Sequence, residues 1–235
     1  VHFALKANAN IKLLKIIHDY GVGADCVSGN EVIRARESGF NSQEIVFAGV
    51  GKTDREIDLA LDYGIYCFNC ESQQEIEVIN ELAAEKNMVA NIAIRINPNV
   101  DANTHHKITT GLDENKFGIS IPKLDEVVNK IMNLKHVHLI GIHFHIGSQI
   151  LKLDVFKQLC LKVNELQKWF EDKGIELSDI NVGGGYGVDY EKPDVNQIPD
   201  FAAYFKVFHD NLALRPRQKV HFELGRAIIA QCASL

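Results

Sequence analysis

The sequence is poor in several features that mark whole classes of protein. It has no apolar run long enough to cross a bilayer and no recognisable signal peptide, so we do not expect a membrane protein. It has five prolines and no low-complexity tract, which argues against disorder. Basic runs are missing too, because 25 Lys and Arg stand against 31 Asp and Glu, for a net charge of −6. We therefore do not expect nucleic acid or an anionic membrane as a partner.

The five cysteines show neither a disulfide framework nor the spacing of a zinc site. Cys67 and Cys70 form a C-F-N-C pair, but no second Cys or His pair follows at metal-binding spacing. We expect two small residues on a buried strand. Cys26, Cys160 and Cys232 stand alone and are predicted to fill the core. This cysteine usage favours a reducing, cytoplasmic setting.

The chain has enough apolar sequence for a large core. Hydrophobic residues make up 46% of its 235 residues and charged residues 24%, as in globular proteins. It begins with Val1 and stops at Leu235 within a helix-like stretch. We therefore expect a fragment: one domain over residues 1–235, truncated at both ends.

Strand-like apolar runs alternate with helix-period segments along the whole chain. The predicted strands cover residues 2–6, 24–27, 44–48, 65–70, 89–97, 137–145, 180–183 and 219–224. The predicted helices cover residues 11–20, 31–38, 54–63, 72–86, 123–134, 155–173 and 201–212, with one more beginning near 227, and residues 98–120 form a polar connection. Eight such units predict an α/β fold, the (β/α)8 TIM barrel. An open doubly wound sheet is less favoured, because Lys6-Ala7-Asn8 follows the first strand in place of a glycine-rich fingerprint.

In a barrel of this kind, the active site lies at the carboxyl ends of the strands. Lys6 ends the first strand, where burial of its ammonium would lower the pKa and supply a free amine for a Schiff base. A structural lysine that reaches solvent is the alternative. Gly183-Gly184-Gly185 follows the seventh strand and Gly225-Arg226 the eighth, the usual phosphate position in this fold.

Glu223 and two histidines complete the set. Glu223 could pair with a protonated ring nitrogen, or instead form an ion pair with Arg226 or with another charged group of the barrel. His143 and His145 share one face of the sixth strand, where an imidazole could stack on a planar cofactor; zinc and a satisfied core histidine are the alternatives. An amine for an aldehyde, a phosphate cradle and a carboxylate for a ring nitrogen together indicate pyridoxal 5′-phosphate.

Several ordered motifs resemble those of one family, the fold-type III pyridoxal-phosphate decarboxylases with an alanine racemase-like barrel. They are Phe3-Ala4-Leu5-Lys6-Ala7-Asn8, His145-Ile146-Gly147-Ser148-Gln149, Gly183-Gly184-Gly185 and Glu223-Leu224-Gly225-Arg226. Three more segments resemble members that convert meso-2,6-diaminopimelate to L-lysine and CO2: Phe47-Ala48-Gly49-Val50-Gly51-Lys52-Thr53, Arg95-Ile96-Asn97-Pro98 with Val100-Asp101, and Thr110-Gly111 with Lys116-Phe117-Gly118-Ile119. Phe3, Leu224 and Asn30 depart from the family's usual Tyr, Pro and Gly.

The resemblance implies roles for particular residues. Lys6 would carry the cofactor as a Schiff base, His145 would stack on the pyridine ring, and Glu223 would keep the ring nitrogen protonated. The phosphate group would be held by the residues Ser148, Gly183, Gly184, Gly185, Gly225 and Arg226. Asp25 and Arg95 match positions near the cofactor, and Arg226 would also reach the substrate carboxylate.

The resemblance also implies features beyond this chain. Family members carry a β-rich domain with a proton-donating cysteine, commonly completed across a homodimer interface, and none of the five cysteines matches it. The expected enzyme is thus a cytoplasmic carboxy-lyase acting on a small amino acid, with no metal. Open alternatives are a decarboxylase of ornithine, arginine or lysine, a non-catalytic cofactor-binding regulator, and an unrelated phosphate-binding barrel.

Overall fold

The computed structural model of the chain describes residues 1–98, 117–196 and 198–232. One ten-stranded parallel sheet dominates it. Its strands are β1 His2–Ala4, β2 Gly23–Cys26, β3 Ile45–Phe47, β4 Cys67–Cys70, β5 Ala90–Asn97, β6 Ile119–Ser120, β7 Val137–His143, β8 Asp179–Asn181, β9 Lys219–His221 and β10 Glu223–Leu224. The strand order is β10-β1-β2-β3-β4-β5-β7-β8-β9, with β6 paired beside β5.

The sheet closes on itself through the segment that carries β9 and β10. His221 of β9 pairs with Asn181 of β8, and Glu223 of β10 pairs with His2 of β1. Because Phe222 alone separates these two strands, they act as one interrupted strand that pairs with both edges of the sheet. The predicted (β/α)8 barrel is confirmed, with eight barrel strands and a short extra strand, β6.

Helices follow the strands and cover the outside of the barrel. They are α1 Ile11–Asp19, α2 Gly29–Glu37, α3 Asp54–Tyr63, α4 Gln73–Glu85, α5 Leu124–Ile131, α6 Leu153–Asp172, α7 Phe201–Asn211 and α8 Arg226–Ile229. Local sequence sets several of their ends. The Ser28 and Ser72 hydroxyls cap α2 and α4, and Thr53 forms a capping box with Glu56 at α3. Gly64 ends α3 in the left-handed conformation.

The apolar side chains form two layers because strand side chains alternate between the two faces of the sheet. Ile45 and Phe47 belong to the large core between sheet and helices. Val46, between them, belongs to a separate small cluster with Cys67, Ala93 and Ile140. This cluster therefore lies on the opposite face, inside the barrel, between the two ends of the strands.

A polar network closes the end of the barrel where the strands begin. Asp179 accepts hydrogen bonds from Tyr66 Oη at 2.5 Å and His221 Nε2 at 2.6 Å, and also from Ser178 Oγ. Burial alone would raise the pKa of Asp179, but these donors outweigh it and lower the pKa. His2 stacks on His221 and is buried, and desolvation lowers its pKa to about 3. This end of the barrel is filled, which leaves the opposite end for a ligand.

The boundaries differ from the sequence prediction in a few places. The first strand ends at Ala4, and the chain then forms a 3-10 turn over Leu5–Ala7. The short strand β6 falls inside the predicted connection 98–120. Cys26, Cys67, Cys70 and Cys160 are buried as predicted, but Cys232 is exposed, so its assignment to the core was wrong. The segments Val100-Asp101 and Thr110-Gly111 and residue Lys116 lie outside the described residues.

Two absences can be stated for the part of the chain that the structure describes. None of its helices has both the length and the apolar character needed to cross a membrane. Within the same ranges, no three His, Cys, Asp or Glu side chains are grouped as metal ligands.

Candidate active site

The carboxyl ends of the strands surround a cavity of about 410 Å3, which we call the mouth cavity. Strands β1, β2 and β10 and the loops after β7 and β8 all contribute to it. Its lining residues are Ala4, Lys6, Ala7, Asp25, His145, Ser148, Gly185, Tyr186, Glu223, Gly225 and Arg226. Most of the residues singled out from the sequence, which are far apart along the chain, therefore share one site.

Lys6 lies at the rim of the mouth cavity. It sits in the 3-10 turn after β1, and its side chain is exposed, although the sequence suggested a buried lysine on a strand. The expectation of burial was wrong because the strand ends two residues earlier, at Ala4. The amine is therefore accessible to a ligand from the cavity without any opening of the barrel.

Glu223 forms the floor of the mouth cavity and is held by three donors. Oε1 accepts from Asn69 Nδ2 at 2.9 Å and from Asn181 Nδ2 at 2.7 Å. Oε2 lies 2.9 Å from Nε2 of His143, and both of these side chains are at most 5% exposed. Burial alone would raise the pKa of Glu223, but His143 and the amide donors reverse this and lower it. Of the ion pairs considered from the sequence, the one with Arg226 does not form, and Glu223 pairs instead with another ionisable group of the barrel, His143.

Asp25 is the second buried carboxyl group of the cavity wall. It ends the stretch of β2 that pairs with Ala4, and its Oδ1 has no hydrogen-bond partner in the structure. Burial raises the pKa of Asp25 well above its usual value, and the nearby charge of Glu223 raises it further. The pKa values of the two carboxyl groups therefore shift in opposite directions, with Glu223 ionised and Asp25 favouring its protonated form.

The two histidines after β7 have different surroundings. His143 ends the strand, is buried, and makes the contact with Glu223 beneath the cavity. His145 lies two residues further on, is half-buried, and lines the cavity itself. The sequence grouped them on one face, and the structure separates a supporting histidine from one that a ligand can touch.

The glycine turn after β8 reaches the cavity through one of its three residues. Gly185 lines the cavity with a φ of +93°, and a Cβ there would lie 2.2 Å from the carbonyl oxygen of Gly147. Gly183 and Gly184 do not line it: the N–H of Gly183 donates to Asn181 Oδ1 at 3.0 Å. A Cβ on Gly184 would lie 1.8 Å from the carbonyl oxygen of Glu223. These two glycines allow close packing of the backbone against β7 and β10.

Ser148, Gly225 and Arg226 complete the same side of the cavity. Gly225 precedes the short helix α8, which begins at Arg226. The Arg226 side chain is exposed, donates from Nη1 to Tyr190 Oη at 2.6 Å, and lies over the Tyr190 ring at 5.7 Å. Tyr190 was not identified from the sequence, since an exposed tyrosine in a loop gives no signal by itself.

Arg95 does not line the mouth cavity, although the family resemblance places it near the cofactor. It is buried, donates from Nη1 to Glu71 Oε1 at 2.6 Å, and packs on the Phe117 ring at 5.7 Å. Glu71 was not predicted, because its contact with Arg95 depends on the neighbouring positions of β4 and β5. In this structure Arg95 joins those two strands.

Sequence reasoning also missed the residues that support Glu223 from behind. Asn69 and Asn181 lie within the predicted strands 65–70 and 180–183, but asparagine is at least as typical of a turn, so neither gave a functional signal. Lys52, in the glycine-containing segment after β3, has a buried side chain whose Nζ donates to Asn69 O at 2.9 Å and Glu75 Oε1 at 2.7 Å. Only the register of the strands shows that these groups meet.

Comparison with known proteins agrees with this geometry. The family model described as "Pyridoxal-dependent decarboxylase, pyridoxal binding domain" matches residues 1–230. Diaminopimelate decarboxylase of Bacteroides thetaiotaomicron is 57% identical over 235 residues, 100% of this chain and 61% of that protein. The enzyme of the same name from Aquifex aeolicus is 38% identical over 99% of this chain and 55% of its own length.

A solved structure is similar as well. The crystal structure of diaminopimelate decarboxylase from Helicobacter pylori, as a variant complexed with L-lysine, superposes with a TM-score of 0.88 at 38% identity. It covers 97% of this chain and 57% of the other. The chain thus spans little more than half the length of the proteins it matches. It belongs to the family of pyridoxal binding domains of pyridoxal-dependent decarboxylases.

Proposed function

We propose that the protein containing this chain decarboxylates meso-2,6-diaminopimelate to L-lysine and CO2 with pyridoxal 5′-phosphate bound in the mouth cavity. One observation carries the proposal: an accessible amine, a buried ionised carboxylate and a guanidinium line the same cavity, from Lys6, Glu223 and Arg226. Two relatives named diaminopimelate decarboxylase, 57% and 38% identical to the chain, support this choice of substrate.

The residues of the cavity fit this cofactor. Asp25 Oδ1 is a buried polar atom without a partner, as expected where a ligand supplies one. Close approach of a ligand's oxygens requires bare backbone, and a Cβ on Gly225 would lie only 3.1 Å from the Ala7 Cβ. The amine of Lys6 lies at the rim and Glu223 at the floor, on the same cavity.

The phosphate group would be held on the side formed by Ser148, Gly185, Gly225 and Arg226. A hydroxyl group, backbone amides and a guanidinium are the donors that bind a phosphate dianion. Gly183 and Gly184 would act indirectly, by letting the turn pack closely enough for Gly185 to reach the cavity. Arg226 would also orient a substrate carboxylate, since its side chain is exposed beside the cavity.

The remaining side chains would set protons and orientation. When bound, pyridoxal 5′-phosphate supplies an aldehyde for an amine and a ring that withdraws electrons from the bond being broken. Lys6 would provide the amine, and His145 would pack on the face of the ring. Glu223, kept ionised by His143, would hold a proton on the ring nitrogen. Asp25, with its raised pKa, would hold a second proton on the side of Lys6.

We further propose that the active enzyme is a cytoplasmic homodimer whose partner subunit completes the site. In support, Lys6 and Arg226 line the mouth cavity and yet are exposed, which leaves room for a further protein surface to cover them. All five cysteines are free, as in a reducing compartment. Nucleic acid and membranes are not proposed as partners, given the net charge of −6.

A substrate panel tests the proposal. The complete protein, loaded with cofactor, is incubated separately with meso-2,6-diaminopimelate, ornithine, arginine and lysine, and CO2 and the product amine are measured. We expect release from diaminopimelate, with L-lysine as product, and none from Lys6→Ala. Release from ornithine, arginine or lysine instead would contradict the substrate, and release from none of them would contradict catalysis altogether.

A further inference from the structure

Asn181 lies behind the cavity floor and is not one of the residues that line the mouth cavity. It is the last residue of β8, in register with His143 of β7 and His221 of β9, and it is 4% exposed. A buried amide side chain needs hydrogen-bond partners at both its nitrogen and its oxygen. One partner is Glu223, in the part of the proposed cofactor site that would meet the ring nitrogen, which we call the carboxylate half. The other is Gly183, in the glycine turn that leads to the phosphate, which we call the phosphate half.

The amide nitrogen of Asn181 contacts the carboxylate half. Nδ2 donates to Glu223 Oε1 at 2.7 Å, next to the donation from Asn69 Nδ2 at 2.9 Å. Two donors use both acceptor positions of Oε1, while Oε2 accepts from His143. A donor that enters from the cavity must therefore use Oε2. The amides thus determine which oxygen of Glu223 faces a ligand.

The amide oxygen of Asn181 contacts the phosphate half. Oδ1 accepts from the N–H of Gly183 at 3.0 Å, and Gly183 has a φ of +69°. A Cβ on Gly183 would lie 2.0 Å from the Phe144 carbonyl oxygen, so this residue is packed against the backbone after β7. The Glu223 N–H donates to the Gly183 oxygen at 2.8 Å. Backbone and side chain together hold the glycine turn at a fixed distance from Glu223.

We propose that Asn181 is a positioning residue that couples the Glu223 carboxylate to the glycine turn. It would fix the distance between the group that binds the cofactor's ring nitrogen and the groups that bind its phosphate. This rests on the proposed function, in which Glu223 meets the ring nitrogen and the turn leads to the phosphate. Asn69 provides a matched comparison, since its side chain donates to the same oxygen of Glu223 while its partners do not include the turn.

The experiment compares Asn181→Ala, Asn181→Asp and Asn69→Ala in the complete protein. Cofactor-free samples are titrated with pyridoxal 5′-phosphate, with and without inorganic phosphate as competitor, and the visible absorbance of the bound cofactor is recorded against pH. We expect Asn181→Ala to raise the dissociation constant about tenfold or more and to weaken competition by phosphate, because two hydrogen bonds are lost, one of them to a charged group.

The other variants separate the two contacts. Asn69→Ala should shift the pH profile of the absorbance to higher pH, because Glu223 loses a donor, with phosphate competition unchanged. Asn181→Asp keeps an acceptor for Gly183 but places a second carboxyl group against Glu223. It should therefore shift the pH profile to higher pH by more than Asn69→Ala does, with phosphate competition unchanged. Urea unfolding of the cofactor-free variants shows whether each of them folds. If Asn181→Ala does not fold, the pH profile of Asn181→Asp tests the proposal in its place.

The outcomes distinguish this inference from the function on which it rests. If wild-type protein binds the cofactor but Asn181→Ala and Asn69→Ala change phosphate competition and the pH profile equally, the coupling is overturned and the function stands. An unshifted pH profile in Asn181→Asp would overturn it as well. If the wild-type protein binds no cofactor, the proposed function fails together with the inference.

Discussion

The buried contact between His143 and Glu223 gives the sharpest prediction on stability. Both side chains are at most 5% exposed, and His143 Nε2 lies 2.9 Å from Glu223 Oε2. His143→Phe removes the donor, keeps a ring of similar size, and leaves the carboxylate of Glu223 buried without it. Removing one partner of such a pair costs about 3–5 kcal/mol of unfolding free energy. Equilibrium unfolding in urea at pH 7 measures this loss.

The pH dependence of this loss tests its physical cause. In the wild type the pKa of Glu223 is lowered, so its contribution is present above the unfolded pKa and is lost as the pH falls. In His143→Phe, burial dominates and the pKa rises, so Glu223 takes up a proton as the pH falls from 7 towards 4. The deficit of the variant should therefore shrink on acidification.

A double-mutant cycle with Glu223→Gln completes this test. In that background His143→Phe should cost less, by about 1–3 kcal/mol, because no charge is left without a partner. A loss below about 1 kcal/mol in the wild-type background, equal at all pH values and additive with Glu223→Gln, would refute the reasoning.

Two further predictions concern the glycine turn and the closed end of the barrel. Gly185→Ala should weaken cofactor binding about tenfold or more in an absorbance titration, because its Cβ would lie 2.2 Å from the Gly147 oxygen. Gly174→Ala, also at positive φ but with nothing within 4 Å, should leave binding unchanged; equal effects would contradict this explanation. His2, whose pKa is lowered to about 3, stays neutral in the folded state while the unfolded chain takes up a proton. Unfolding free energy should therefore fall by about 1.4 kcal/mol per pH unit as the pH decreases from about 6 to 4, less so in His2→Gln, and the exposed His138→Gln should keep the wild-type slope. An unchanged slope in His2→Gln would contradict the assignment.

The architecture follows from local patterns, and much of it could be predicted. Short stretches of sequence determine the alternation of apolar strands and helices. An example is the strand Ile45–Phe47, which is followed by the capping box of Thr53. In a closed parallel barrel, the ends of all strands point to one mouth. The amino-acid sequence alone is therefore enough to place Lys6, His145 and Glu223 together.

What the sequence could not show depends on register and on exact strand ends. The exposure of Lys6 follows from a strand that stops at Ala4 and not at Lys6. Arg95 was associated with the cofactor by resemblance, whereas its contact with Glu71 depends on how β4 and β5 align. Asn181 reaches Glu223 on the neighbouring strand of the barrel, 42 residues further along the chain, and a single sequence contains no local signal for such a contact.

The central claim is that the mouth cavity binds pyridoxal 5′-phosphate through Lys6. The most direct measurement is reduction of the cofactor-loaded protein with borohydride, followed by peptide mass spectrometry. We predict that the cofactor's mass is found on the peptide that contains Lys6, and on no peptide in Lys6→Ala. Labelling of another lysine, such as the buried Lys52, or of none, would contradict the account.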